Sequence, residues 1–483
     1  MNMNSSPRIV GLVALLSMFV FDMWAGQPPV GARPNIILAL ADDLGWGDPG
    51  FNGNKVIQTP HLDEMAKAGL RFERFYSGAP VCSPTRGSCL TGRHPYRYGI
   101  WSANEGHLRK KELSLAEVLK AQGYATGHFG KWHLGSLSHE QDGRRGGRGE
   151  NAHYAPPWEH GFDVCFSTEQ AVPTWNPLQN QPFPTKYWTG PGRAATSNME
   201  GDDSRVLMDR ALPFIRQAAS DKQPFFAVIW FHAPHQPVIA GPEFRAKYGG
   251  LSEGEQHYYG AITALDLQVG RLRNELRELG VAANTMLWFA SDNGPEGENG
   301  KMGTNRGSAG PMRGRKRSLW EGGIRVPGLL EWPARIKSGG VTAVPCSTLD
   351  YFPTTLDILG IRIDRQPMPL DGVSLVPLFD GKLKERPVPI PFETLGSAGS
   401  KSSRGSPHIA LVDNRYKLLT DMNDSPDKTP LLFDLINDPA EASNIAPANP
   451  EIVRSMNAKL LEFRESCKNS NIGKDYSEPF TPE

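Results

Sequence analysis

The chain has 483 residues, which is long enough to bury a large core and to form more than one domain. Hydrophobic residues make up 39% and charged residues 22% of it, the composition of an ordinary globular protein. Lysine plus arginine and aspartate plus glutamate both total 52, so the formal net charge is zero. This balance excludes a general electrostatic attraction to nucleic acid or to an anionic membrane surface. Any anion must therefore be bound by a local cluster of cations.

The first residues have the layout of a secretory signal peptide. A short polar stretch with one positive charge precedes the apolar run IVGLVALLSMFVF at 9–21, and the small residues Ala25 and Gly26 follow. The run is too short for a comfortable transmembrane helix, and no later stretch is long and apolar enough to span a bilayer. We predict a signal peptide over 1–26 and export to the periplasm or the extracellular space, or to the lysosome if the cell is eukaryotic. An uncleaved N-terminal anchor is the alternative.

Hydrophobic periodicity predicts strands that alternate with helices in the first part of the chain. Short aliphatic or aromatic runs predict buried strands at 35–41, 124–129, 225–231 and 286–290. Apolar side chains at three- and four-residue spacing predict helices at 61–69, 113–122 and 252–279. We therefore expect an α/β fold, with a large, mainly parallel sheet flanked by helices, in one domain over 34–381.

The pattern changes beyond about residue 382. Further strands are predicted at 408–412, 416–420 and 431–435, and a final helix at 450–467. We expect these elements to form a small subdomain with an antiparallel sheet, 382–483, packed on the first domain. Irregular segments are predicted at 141–151, 168–198 and 396–407.

Polar residues follow the ends of four predicted strands. They are Asp42 and Asp43, Lys131 and His133, His235, and Asp292 and Asn293. In open α/β sheets, ligands bind outside the carboxyl ends of the strands. The convergence of charged groups from four strand ends therefore predicts an active site at this rim. Taken singly, each acidic pair is better explained as a turn or a helix cap.

Cys82 begins the segment CSPTRGS at 82–88. Ser83 can cap a helix and Pro84 suits its first turn, so Cys82 is predicted at a helix N-terminus, where backbone N–H groups favour an anion. Arg86, one turn further on, adds planar donors suited to oxyanions. A thiolate there is a candidate nucleophile. An inert buried cysteine and half of a disulfide are the alternatives, and the pairing of the five cysteines cannot be read from the sequence.

The motif C-x-P-x-R at 82–86, followed by Gly-Ser and then LTGR at 90–93, resembles the signature of type I sulfatases in the alkaline-phosphatase-like superfamily. Further segments match that family in the expected order: PNIILALADDLGWG at 34–47, GKWHLG at 130–135, ASDNG at 290–294, WEGGIRVP at 320–327 and DLINDPAEASN at 434–444. The resemblance thus covers most of the chain. Each segment alone is a weak signal, but together they are highly specific.

The resemblance implies that a separate maturation enzyme oxidises Cys82 to Cα-formylglycine. The aldehyde would hydrate to a diol, one hydroxyl would attack sulfur, and the second would then expel sulfate. The resemblance also implies a metal site made by an oxygen of the modified Cys82 together with Asp42, Asp43, Asp292 and Asn293. Because the four side chains offer only oxygen, we expect Ca²⁺, with Mg²⁺ as the alternative. The cation would polarise a sulfate oxygen.

Three basic residues take roles by the same resemblance. Lys131 would bind sulfate and the formylglycine, and His133, two residues on and facing the same side of an extended stretch, would take a proton from the diol. His235 would bind sulfate and help protonate the leaving oxygen. His232 is nearby, but His235 has the matching Pro-His-x-Pro context.

Lys316 matches the lysine that contacts the leaving group in this family. The usual loop has glycines beside this lysine, whereas this chain has Arg315 and Arg317. The departure leaves the choice among the three residues open and makes the loop unusually basic. A solvated basic loop is the alternative, and the functional interpretation fits an anionic, multiply sulfated substrate.

These residues together predict hydrolysis of sulfate esters: aryl sulfates in vitro, and a sulfated carbohydrate or glycosaminoglycan in the cell. The layout is most similar to arylsulfatase A and N-acetylgalactosamine-6-sulfatase. One alternative is a phosphate or phosphonate ester hydrolase of the same superfamily, and another is a non-catalytic sulfoglycan-binding protein in which Cys82 stays unmodified. Trp175, Tyr187 and Trp188 are candidates to stack on sugar rings, although aromatic residues in such loops more often pack locally.

Overall fold

The computed structural model describes Met1 and residues 33–139, 153–182, 184–297, 306–363, 367–394, 406–421 and 429–476. Apart from Met1, the predicted signal peptide lies outside these ranges. So do the whole of the predicted irregular segment at 141–151 and most of the one at 396–407. No helix in the described part of the chain is both long enough and apolar enough to cross a bilayer.

The strands of the described ranges are β1 (Asn35–Ala41), β2 (Leu70–Phe72), β3 (Phe75–Tyr76), β4 (Ala125–Lys131), β5 (Val164–Thr168), β6 (Trp188–Gly190), β7 (Arg193–Ala194), β8 (Phe225–Trp230), β9 (Thr285–Ser291), β10 (Arg325–Val326), β11 (Gly328–Glu331), β12 (Gly340–Thr342), β13 (Cys346–Ser347), β14 (Ile390–Glu393), β15 (Ile409–Val412), β16 (Tyr416–Thr420) and β17 (Leu431–Asp434). The α-helices are α1 (Pro60–Ala68), α2 (Cys82–Thr91), α3 (Leu115–Ala121), α4 (Asp203–Ser220), α5 (Pro242–Arg245), α6 (Glu253–Glu278), α7 (Glu321–Ile324), α8 (Tyr351–Leu359), α9 (Val376–Phe379) and α10 (Pro450–Asn471). Each strand and helix that the sequence predicts is present, with ends that differ by a few residues.

The largest sheet has 10 strands in the order β12-β2-β11-β9-β1-β8-β4-β5-β6-β7. Its centre is parallel: β1 pairs with β8 and β9, and β4 pairs with β8 and β5. β11 beside β9 and β6 beside β5 run antiparallel. The prediction of a large, mainly parallel sheet is therefore confirmed, with antiparallel strands added on both sides of the parallel centre.

Side chains of β1 alternate between two hydrophobic cores. Ile37 and Ala39 pack with apolar residues of α1, α4 and α6, whereas Ile36 and Leu38 pack with residues of α2, α3 and α8. All four are at most 2% exposed. A strand that is covered on both faces needs a continuous apolar sequence, which is what 36–41 supplies. The sheet is therefore the middle layer between two layers of helices.

Local sequence accounts for where two of the flanking helices begin. Ser114 precedes α3 and accepts a hydrogen bond from the backbone N–H of Glu117, whose side chain accepts in return from the backbone of Ser114. Ser252 and Glu255 make the same reciprocal pair at the start of α6. Each capping box satisfies N–H groups that the first helical turn leaves without partners.

A second, four-stranded antiparallel sheet has the order β14-β15-β16-β17. Met456 and Leu460 of α10 pack on one of its faces with Leu411 and Leu418. Trp320, which follows the predicted lysine-bearing loop, belongs to the core on the other side of this sheet. The small antiparallel-sheet subdomain is thus present, and its boundary at residue 382 stays a prediction.

The predicted irregular segment 168–198 includes the short strands β6 and β7 at one edge of the large sheet. Tyr187 is fully buried and donates a hydrogen bond to Asp203, and Trp188 is only 5% exposed. Trp175 is half-buried and lies against Gly241. Local packing, rather than a surface for stacking on sugars, is therefore what Tyr187 and Trp188 provide.

Candidate active site

Two neighbouring parallel strands bring four polar side chains together. Asp42 and Asp43 follow β1, Asp292 and Asn293 follow β9, and the last residues of the two strands, Ala41 and Ser291, are in register. The backbone N–H of Asp43 donates to Asp292 Oδ1 at 3.1 Å, and Asn293 Nδ2 donates to Asp43 Oδ1 at 2.7 Å. All four side chains are buried. The predicted ligand set is therefore one cluster.

This cluster contains polar atoms that the described residues leave without hydrogen-bond partners. They are Asp42 Oδ1, Asp43 Oδ2 and Asn293 Oδ1. Leaving a buried oxygen without a partner costs about 1–3 kcal/mol, so three in one place are not expected without something to bind them. Oxygen donors of this kind suit a hard cation such as Ca²⁺ or Mg²⁺.

The carboxylates are also crowded in a way that a cation would relieve. Burial and the neighbouring Asp42 raise the pKa of the Asp292 carboxyl to about 7. Burial alone would also raise the pKa of Asp42, but Lys131, His235, Arg86 and Lys316 outweigh it and hold that pKa well below its ordinary value. The donor set therefore fits a bound dication. His235 also offers an atom within 4.8 Å of one oxygen each from Asp42 and Asp43.

Cys82 is the first residue of α2 and is only 2% exposed. The N-cap is Val81, so the prediction that Ser83 caps this helix is wrong. The Ser83 hydroxyl instead donates to the backbone carbonyl of His133 at 2.7 Å, which ties the start of α2 to the segment after β4. All five cysteines are free and buried. Cys82 therefore lies at a helix N-terminus, as the sequence predicts, where the N–H groups of the first turn favour an anion.

Arg86 lies one turn beyond Cys82 and is fully buried. Its Nη2 donates to Asp292 Oδ2 at 2.7 Å and lies 3.5 Å from Asp42 Oδ2, and its Nη1 donates to the backbone carbonyl of Lys131 at 2.9 Å. One guanidinium therefore joins the ends of β1, β4 and β9 beneath Cys82. Burial lowers the pKa of Arg86, but Asp292 and Asp42 raise it further, so the group stays charged.

Lys131 and His133 line the same cavity as Cys82. Lys131 is the last residue of β4, and its Nζ donates to Asp42 Oδ2 at 2.7 Å. His133 lies beyond the strand with a φ of 57°, and its Nε2 is 2.9 Å from Asn104 Oδ1. Lys131 and His133 thus face the same cavity, as expected. The backbone between them is not an extended stretch, however, because His133 has a left-handed conformation.

His235 and His232 lie in different surroundings, and only His235 lines the cavity. His232 is fully buried, with Nδ1 2.7 Å from Asp203 Oδ2 and Nε2 2.7 Å from Thr168 Oγ1, so both ring nitrogens are engaged in the core. His235 lines the cavity. Its Nδ1 donates to the backbone carbonyl of Gln236 at 2.6 Å, and Nε2 lies 3.8 Å from Asp43 Oδ2. Burial lowers the pKa of His235 to about 4, so the imidazole is neutral near pH 7.

Lys316 reaches the acidic cluster and Arg315 does not. The Lys316 Nζ donates to Asp43 Oδ1 at 2.6 Å, and its side chain is only 1% exposed. Arg315 turns away and donates to the backbone carbonyls of Glu296 and Gly307 at 3.0 and 2.7 Å. Burial lowers the pKa of Lys316, but Asp43 raises it further, so the ammonium is charged. Of Arg315 and Lys316, Lys316 is therefore the residue that contacts the acidic cluster and lines the cavity, and its role toward the leaving group stays a prediction.

These side chains surround a cavity of about 250 Å³. Its described lining consists of Cys82, Ala103, Asn104, Lys131, His133, Gln170, Ala171, Pro182, His235, Gln236, Lys316 and Arg317. The sequence analysis missed Asn104, Gln170 and Gln236, because isolated amide residues in loops carry no motif. The carboxylates lie beneath this lining, so an entering anion meets basic and amide groups first.

The comparisons with known proteins agree with this geometry. A family model described as Sulfatase matches residues 34–361, and one described as N-sulphoglucosamine sulphohydrolase, C-terminal, matches residues 314–466. N-acetylgalactosamine-6-sulfatase of Sus scrofa is 32% identical over 486 residues, covering 91% of this chain and 87% of that protein. Steryl-sulfatase of Homo sapiens is 30% identical, covering 76% of this chain and 73% of that protein.

Two solved structures are also similar to this chain over most of its length. The crystal structure of Ps i-CgsB in complex with k-i-k-neocarrahexaose has a TM-score of 0.75 and 26% identity, covering 92% of this chain and 95% of that one. The phosphonate monoester hydrolase of Agrobacterium radiobacter has a TM-score of 0.63 at 21% identity, covering 90% of this chain and 96% of that one, and shares the fold alone. The chain belongs to the sulfatase family of sulfuric ester hydrolases.

Proposed function

We propose that this sulfatase removes sulfate esters from a sulfated carbohydrate, with a formylglycine derived from Cys82 and a Ca²⁺ ion. One observation carries the proposal. Cys82, at a helix N-terminus, lines one cavity with the cations Lys131 and Lys316. The acidic cluster that contains the partnerless buried oxygens contacts both lysines, and the buried Arg86 contacts two of its carboxylates. An inert buried cysteine needs none of these neighbours.

Asp42, Asp43, Asp292 and Asn293 would hold the ion. The ion supplies charge stabilisation at a sulfate oxygen, and the formylglycine supplies the attacking hydroxyl. Arg86 holds Asp42 and Asp292 close to one another, because its guanidinium contacts both carboxylates. With three carboxylates balanced by three fixed cations, the dication leaves a net positive site for an anionic ester.

Lys131 and Lys316 flank the acidic cluster and bind the sulfate from two sides. Each ammonium already contacts a carboxylate, so its position is set before substrate arrives, which is the preorganisation that transition-state stabilisation needs. His133, held by Asn104, takes a proton from the nucleophile. His235 hands a proton to the leaving oxygen, because the negative charge of the bound sulfate raises its proton affinity.

The names of similar proteins support a sulfated sugar as substrate. N-acetylgalactosamine-6-sulfatases match this chain over most of its length, and Ps i-CgsB was solved in complex with k-i-k-neocarrahexaose. The basic cavity of this chain fits such an anionic ligand. Export directed by residues 1–26 and modification of Cys82 by a maturation enzyme complete the proposal.

The test compares turnover of 4-nitrophenyl sulfate with turnover of 4-nitrophenyl phosphate and a matched phosphate diester. The mature enzyme with Ca²⁺ should prefer the sulfate ester. A preference for a phosphate ester would instead make it a phosphate or phosphonate hydrolase. Mass spectrometry of the peptide that contains residue 82 should find an aldehyde in place of the thiol. An unmodified cysteine in a protein that binds sulfated glycan without turnover would make it a binding protein.

A further inference from the structure

One basic side chain of the cavity has no role in the reaction proposed above. The described lining includes Lys131, His133, His235, Lys316 and Arg317, and it contains no carboxylate. In the proposed reaction, each of the first four binds sulfate or moves a proton. Arg317 does neither, and its side chain is 41% exposed, whereas that of Lys316 is only 1% exposed. It therefore lies at the outer part of the cavity.

The backbone of Arg317 has a left-handed conformation that favours glycine. Its φ is 72°, in the left-handed region that glycine adopts freely and that costs other residues about 1–2 kcal/mol. This is one of the two positions where the family's usual loop has glycine. The backbone N–H of Arg317 donates to the carbonyl of Pro80 at 2.8 Å, just before Cys82. An arginine therefore occupies a strained backbone conformation that glycine would adopt without strain.

The guanidinium is anchored but only partly used. Arg317 Nη1 donates to both carboxylate oxygens of Glu296, at 2.7 and 2.6 Å. In the part of the chain that the structure describes, its Nε and Nη2 make no hydrogen bond. The anchor fixes the plane of the group and leaves N–H donors available. Two N–H groups in a fixed plane match the geometry of a sulfate or a carboxylate.

We propose that Arg317 binds a second anionic group of the substrate, a sulfate or a carboxylate close to the ester that is cleaved. This inference rests on the proposed function and deepens it, because it makes the substrate a glycan with more than one negative charge near the scissile sulfate. The scissile sulfate itself lies deeper, at Lys131 and Lys316, so Arg317 is a specificity-determining residue and not a catalytic one.

The experiment uses the mature full-length enzyme and defined sugars that share the scissile sulfate. These sugars carry a second sulfate, a carboxylate or a hydroxyl at the neighbouring position. Wild type should favour the two doubly charged sugars. Arg317→Gly should reduce kcat/KM for them by about ten- to a hundredfold, the loss expected for a charge-assisted contact. Turnover of the singly sulfated sugar and of 4-nitrophenyl sulfate should change less than about twofold.

Two further variants separate this contact from general charge effects. Arg313→Gln removes a charge from the same loop, at a side chain that stacks on Trp320 and does not line the cavity, and should keep the preference. Arg317→Gly combined with Glu296→Gln should lack the preference, as the single glycine variant does. If the double variant regained it, or if Arg313→Gln lost it equally, the assignment of Arg317 would be overturned.

An equal response of wild type and Arg317→Gly to the doubly charged sugars would also overturn the inference, while leaving sulfatase activity in place. Absence of turnover by wild type on every sulfate ester, 4-nitrophenyl sulfate included, would instead refute the proposed function, and the Arg317 subsite with it. Melting temperatures serve as the folding control. Arg317→Gly should melt no lower than wild type by more than a few degrees, since glycine relieves the strained φ.

Discussion

Removal of Ca²⁺ should lower the thermal stability of the protein, because Asp42 Oδ1, Asp43 Oδ2 and Asn293 Oδ1 are then buried without partners. At about 1–3 kcal/mol for each oxygen, the penalty is about 3–9 kcal/mol. Independently, a ligand present at about 1,000 times its dissociation constant stabilises the folded state by about 4 kcal/mol. The two figures overlap, so we take about 4 kcal/mol as the expected effect.

The corresponding change in melting temperature follows from the size of the chain. One kcal/mol shifts the melting temperature of a domain of about 200 residues by about 2–4 °C, and that of a cooperative unit about twice as large by about 1–2 °C. We therefore expect EDTA to lower the melting temperature by about 4–8 °C and added Ca²⁺ to restore it with a saturable dependence on concentration. The assay is differential scanning fluorimetry or calorimetry, and it does not depend on activity.

Two variants make this measurement specific to the acidic cluster. Asp43→Asn removes one charge from the proposed ligands and should abolish most of the response to Ca²⁺. Asp48 is a matched control, because it is a buried carboxylate nearby whose oxygens accept from the N–H groups of Gly45 and Ser308 and from the Tyr258 hydroxyl. Asp48→Asn should therefore keep the response. An unchanged melting temperature of wild type in EDTA, or equal responses of the two variants, would refute the assignment of the metal site.

Two further predictions concern buried charge away from the site. Lys417→Met should lower the free energy of unfolding by about 3–5 kcal/mol in chemical denaturation, because Lys417 is fully buried between Glu321 and Glu441. The control Lys468→Met, which removes an exposed ion pair, should lower it by less than about 1 kcal/mol. Similar losses for the two variants would contradict this prediction. Burial lowers the pKa of His94 to about 3. Below pH 6.5 this imidazole is therefore protonated in the unfolded chain but stays neutral in the folded protein, so the free energy of unfolding falls as the pH falls. Between pH 6.5 and 5, wild type should lose about 2 kcal/mol more than His94→Asn, and equal losses would contradict the buried neutral imidazole.

The sequence predicts the parallel centre of the sheet because its strands are buried on both faces. Runs such as 36–41 and 286–290 have no polar residue until the strand ends, so the end of each strand and the polar residue beyond it are readable together. That is why Asp42, Asp43, Asp292 and Asn293 could be placed on one rim. The short edge strands, such as β12 with three residues, have no periodicity to read.

Other features of the site depend on contacts that no local pattern encodes. Ser83 has the chemistry of an N-cap, yet the segment after β4 provides a carbonyl for its hydroxyl and Val81 takes the cap position. Asn104 meets His133 from a loop 29 residues earlier. The choice of Lys316 over Arg315 follows from Asp43 on one side and the carbonyls of Glu296 and Gly307 on the other, and these long-range partners are set only by the fold.

The central claim is that Cys82 becomes the nucleophile that cleaves a sulfate ester. The most direct measurement is release of sulfate from 4-nitrophenyl sulfate by wild type and by Cys82→Ala, both purified with Ca²⁺ after expression with a maturation enzyme. Alanine fits the space of the buried thiol, so we expect no measurable turnover by the variant and a melting temperature within a few degrees of that of wild type. Turnover by Cys82→Ala at a rate close to that of wild type would contradict the account.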